Sequence, residues 1–133
     1  MAVEFYGDLS DPMAIVIRSA EKVASIDFFS PANFSQQIGL MSRPKGHLVL
    51  PHMHNEIERI VSQTQEVLVI RSGICRVSLF SLSFTLTDEI ILSAGDAILL
   101  ASGGHGIEML SDCEILEIKQ GPYLGINDKN RLQ

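Results

Sequence analysis

The sequence predicts an all-β sandwich or barrel, and three observations predict it. Apolar residues come in short runs of strand length, rich in Val, Ile, Leu and Phe. Turn residues separate these runs at close spacing. No long segment carries the helical period; only 20–26 and 55–62 could support short helical turns.

The runs can be taken in order. Residues 14–17 follow Asp11-Pro12, 34–41 follow Ser30-Pro31, and 47–51 follow Arg43-Pro44. Residues 67–70 and 74–82 flank Ser72-Gly73, the expected tip of a hairpin. The run 90–92 ends before Ala94-Gly95-Asp96, and 97–100 follows it. Gly103-Gly104 leads into 107–110, and 115–118 is the last run. Each interruption is Pro, Gly or a short polar residue, which cannot easily continue a ladder.

The chain has 133 residues, enough for one domain with one core over 1–133. The barrel core is expected over about 34–120. The segment 1–33 carries Val3, Phe5, Tyr6 and the run 14–17, apolar enough to pack on the core or to pair with a second copy. A homodimer is expected, because so small a barrel leaves strand edges exposed.

With 46% apolar and 20% charged residues the chain is globular in composition. The balance of 10 Lys+Arg against 16 Asp+Glu, a formal charge of −6, argues against nucleic acid or an anionic membrane as partner. No apolar run reaches the roughly 18 residues of a membrane helix, and the first ten residues lack a basic signal-peptide region. Cys75 and Cys113 sit singly in apolar runs, so they are expected to be small core residues in a reducing compartment, with the protein in the cytoplasm.

The chemistry concentrates in the histidines. On an extended strand, His52 and His54 would share one face with Leu48 and Leu50, their Cβ atoms about 6–7 Å apart. Two neutral imidazoles at that separation can take adjacent positions on a divalent metal. His47 falls on the opposite face and is expected to be a surface or packing residue. The glycines around His105 suit a tight turn that delivers it; a phosphate loop is the alternative, but no helix or Lys follows. Around these residues the chain contains Gly46-x5-His52-x-His54, then Glu66-x6-Gly73, then Gly95-x9-His105.

In the stretches "GHLVLPHMH", "QEVLVIRSG" and "GDAILLASGGH" the chain resembles the cupin superfamily. Its motifs run Gly-x5-His-x-His-x3,4-Glu-x6-Gly and Gly-x5-Pro-x-Gly-x2-His-x3-Asn. The resemblance spans Gly46 to His105 and implies a double-stranded β-helix, or jelly-roll, barrel. It also implies a divalent metal held by His52, His54, Glu66 and His105. The chain departs from the pattern in having eleven residues (55–65) between His54 and Glu66. Glu58 stands at the usual spacing and is the rival carboxylate, but Glu66 begins an apolar run and keeps the glycine register. Ala101 replaces the motif's Pro, His105 comes one residue early, and the final Asn has no counterpart.

Three imidazoles and one carboxylate suit Fe, Mn, Ni, Co, Cu or Zn, with positions left for water or substrate. Alternation along 115–119 puts Glu117 and Lys119 on one face, either solvated or inside the barrel, where they could orient a polar substrate or carry a proton. Tyr123 follows as a cap or a packing residue. The implied function is a metal-dependent enzyme, an oxygenase, isomerase or epimerase, acting on a small polar, sugar-like molecule. The alternative is a binding module that holds a small ligand or metal without catalysis.

Overall fold

Period-two alternation decides which side of each strand is buried, and it sorts the apolar residues of this chain into two layers. The computed structural model describes residues 2–125 and 129–131. The strands are β1 (Val3–Asp8), β2 (Asp11–Ile17), β3 (Ile26–Phe28), β4 (Gly39–Met41) and β5 (Glu66–Ser72). They continue with β6 (Ile74–Phe80), β7 (Leu86–Ser93), β8 (Ala97–Leu100), β9 (Gly104–Met109) and β10 (Glu114–Lys119). No α-helix occurs among the described residues.

A five-stranded sheet has the order β1-β2-β8-β5-β10, a three-stranded sheet the order β7-β6-β9, and β3-β4 form a small ribbon. Every pairing is antiparallel. The main core lies between the two larger sheets. Ala14 and Val16 of β2, Leu68 and Ile70 of β5, and Ile98 and Leu100 of β8 meet Cys75, Val77 and Leu79 of β6 and Ile90 and Leu92 of β7. The alternate residues Ile15, Ile17 and Leu99 point the other way, into a second cluster covered by Phe34 and Ile38, with Phe29 and Val67 at its margin. So β2 and β8 are buried on both faces, which explains why "AIVI" and "AILL" are continuous apolar runs.

Seven predicted runs fall on strands, and Ser72-Gly73 is the β5–β6 turn, with Gly73 at φ 88°. A side chain there would stand 2.0 Å from the Asp112 carbonyl oxygen, so the position requires glycine. The N-terminal segment pairs within its own chain: Val3 opposes Ile17 and Tyr6 opposes Ala14.

Three sequence expectations differ from the structure. Residues 20–26 and 55–62 form no helical turn. Only the end of the run 34–41 is strand, because Phe34 and Ile38 serve as a lid on the outer face of the sheet. Residues 47–51 form no strand; every residue from 41 to 64 is exposed, and no ladder partner lies beside them among the described residues.

The Ala94-Gly95-Asp96 turn holds a buried anchor that composition does not reveal. Asp96 Oδ1 accepts from the Ser19 amide at 2.8 Å, and Oδ2 accepts from the Ser93 amide at 2.9 Å. Arg18 Nη1 donates to the same Oδ2 at 3.2 Å, and its Nε pairs with Glu4 Oε2 at 2.7 Å. One carboxylate therefore fixes β7, β8 and the end of β2 together.

Candidate functional site

Glu66 is the first residue of β5, opposite Leu100 of β8 and Lys119 of β10. Strand parity turns it to the same side as Leu68 and Ile70, toward the main core. His105 is the second residue of β9 and opposes Leu79 of β6, so it shares the inward face of its own sheet. The two sheets thereby bring Glu66 Oε1 to 2.6 Å from His105 Nε2.

Two more polar groups of β10 join them. Glu117 opposes Leu68 and Lys119 opposes Glu66, so both lie on the Glu66 side of the ladder. On that side Glu117 is exposed and Lys119 half-buried. The Glu66 carboxyl is held down at about 2, first by its hydrogen bond with His105, against the opposing effect of burial, and further by Glu117 and the Lys119 charge. The Glu117 carboxyl is pushed up, chiefly by its hydrogen bond with Glu66. Of the two carboxyls, Glu66 is thus the charged one and Glu117 the one that more readily holds a proton. Lys119 Nζ lies 5.5 Å from the centre of the Tyr123 ring, which is itself well exposed.

His52 and His54 lie on the exposed segment. Their ring centroids are 5.3 Å apart in an edge-on arrangement, so the two imidazoles are neighbours as the i, i+2 spacing requires. The Nδ1 of His52 bonds the Leu50 carbonyl oxygen at 2.8 Å, which leaves Nε2 as its outward nitrogen. Glu56, Glu58 and His47 are exposed on the same segment. The predicted four-residue set is therefore present as two pairs, Glu66 with His105 and His52 with His54. Among the described residues no group of three or more His, Cys, Asp or Glu is placed to hold one metal ion.

Two surface hollows lie away from Glu66 and His105. One, of about 240 Å³, is on the outer face of the five-stranded sheet by Ile17, Val67 and Ala97. The other, of about 260 Å³, lies between Asn33–Ser35 and residues 60–65. Sequence reading missed Asp96, whose role is structural, and the proton-sharing of Glu66 with Glu117. Strand parity carries a signal for the second, since it puts both on the same side of the ladder. Compared with protein-family models, curated proteins and solved structures, the chain matches none.

Proposed function

We propose that this chain is a metal-binding β-barrel protein of the cupin type. In this reading His52, His54, Glu66 and His105 hold one divalent transition metal, and the protein acts as an enzyme on a small polar, sugar-like molecule. The observation that carries the reading is the Glu66–His105 contact. It joins two residues from different sheets, at the end of the core, through the atoms that a metal would use. A carboxylate held ionised and an imidazole nitrogen at 2.6 Å form a donor pair that suits Fe, Mn, Ni, Co, Cu or Zn.

The other two donors have a route to the same place. Among the described residues β9 pairs only with β6, so its far edge carries no described strand. The segment that carries His52 and His54 has no regular secondary structure, and it exposes Leu48, Val49, Leu50 and Met53 to water. Docked antiparallel on β9, it would turn Leu48, Leu50, His52 and His54 inward beside Met109, Ile107 and His105. That docking would close the apolar seam between the sheets and complete the donor set. Glu117 and Lys119 would then stand beside a bound substrate, Glu117 able to give or take a proton and Lys119 to orient an anionic or hydroxyl group.

Calorimetric titration of the chelator-treated protein with Zn²⁺ or Mn²⁺ tests the ligand set. Glu66→Gln should weaken binding by about 10-fold or more, while Glu58→Gln leaves it unchanged. The reverse pattern would make Glu58 the carboxylate ligand, and binding indifferent to both would refute the reading.

A further inference from the structure

The two cysteines take no part in the proposed site, yet the fold brings them together. Cys75 is on β6 and wholly buried; Cys113 immediately precedes β10, is half-buried and packs against the same core cluster. The segment 110–113 wraps the β5–β6 turn. The amides of Leu110 and Ser111 donate to the Ile74 carbonyl at 2.9 and 3.2 Å, and Ser111 Oγ accepts from the Ile74 amide at 2.9 Å. This wrap turns Cys113 Sγ inward over Gly73, 2.8 Å from where a Cβ would stand, a space open only because residue 73 is glycine. Cys113 thereby packs against the core cluster that contains Cys75.

We propose that Cys75 and Cys113 are a redox pair that closes to a disulfide in response to a hydroperoxide. Cys113, the more open thiol, is the one attacked. Its sulfur takes one oxygen of hydrogen peroxide to give a sulfenic acid, and the other oxygen leaves as water. The Cys75 sulfur then attacks the Cys113 sulfur; the S–S bond forms, the S–O bond breaks, and the oxygen leaves as water with the Cys75 proton. Two thiols are oxidised, one peroxide is reduced and two waters are released. Cys75, wholly buried, is shielded from the oxidant and meets only the neighbouring sulfur. The bond would tie β6 of the three-stranded sheet to the start of β10 in the five-stranded sheet, at the end of the core away from Glu66 and His105.

The test treats the reduced full-length protein with hydrogen peroxide and then counts thiols after denaturation. The expected result is a fall from two thiols to none, a mass loss of two hydrogens, a Cys75–Cys113 cross-link in the peptide map, and a thermal midpoint about 5 °C higher. Cys75→Ala should instead leave a sulfenic acid on Cys113 that dimedone traps, and Cys113→Ser should leave the Cys75 thiol unreacted under the same treatment. Retention of both thiols would overturn the proposal. So would oxidation of Cys113 past sulfenic acid with Cys75 still free, or a covalent dimer through Cys113.

Discussion

Glu66 Oε1 stands 2.6 Å from His105 Nε2 and joins the first residue of β5 to the inner face of β9. The contact crosses from one sheet to the other, so neither strand could supply it alone. Its consequences for stability follow from the state of the Glu66 carboxyl.

In the metal-free protein Glu66 has an ordinary value of 4.5 unfolded and about 2 folded. A depressed carboxyl stabilises the fold above its unfolded value, and the contribution is lost as pH falls through the folded value. Glu117, pushed up chiefly by its hydrogen bond with Glu66, acts in the opposite sense and offsets part of it. Glu66→Gln should cost about 1–2 kcal/mol at pH 7 and almost nothing near pH 2. Urea unfolding of both proteins at pH 7, 4 and 2.5 checks this; a cost independent of pH would contradict it.

Glu117→Gln should behave differently. A raised carboxyl disfavours folding once the pH exceeds its unfolded value, and Gln supplies a neutral donor in its place. The urea midpoint at pH 7 should stay level or rise. A marked fall would show that Glu117 stabilises the fold as a carboxylate.

Asp96 offers a purely structural comparison. It is buried and accepts from the Ser19 and Ser93 amides and from Arg18. Asp96→Ala leaves those donors without their acceptor and should cost about 3 kcal/mol. Denaturant unfolding measures it, and a cost under about 1 kcal/mol would show that the turn holds without its anchor.

Much of this fold was legible in the sequence because most strands obey one simple rule. Runs such as 67–70 and 97–100 are β-branched or aliphatic, bounded by polar or small residues, and mostly buried. Position 73 announced a turn through glycine alone. The same rule misled at 47–51. There the apolar pattern is strand-like, but no partner strand lies beside it among the described residues, and a strand is a statement about pairing as much as about residue type. For the site, the spacing Glu66-x6-Gly73 and the turn before His105 located the pair that the structure brings together. His52 and His54 are neighbours, although no strand carries them. Whether the two pairs share one centre depends on long-range docking, which local pattern does not encode. Asp96 was invisible for a related reason: its partners Ser19, Ser93 and Arg18 come from separate strands and turns.

That docking makes its own prediction. In metal-free protein the amides of residues 46–61 should exchange with solvent within seconds, as exposed backbone without ladder bonds does. Adding Zn²⁺ should slow exchange over 48–54 and along β9. Protection that does not change with metal would separate the segment from the Glu66–His105 pair.

The most direct measurement is the metal content of the purified protein by elemental analysis. The native protein should hold close to one transition metal per chain. His52→Ala and His105→Ala should each lose that metal with their β-sheet circular dichroism intact. Native protein that carries no transition metal and takes up none when supplied, or His52→Ala that retains a full equivalent, would contradict the proposed metal site.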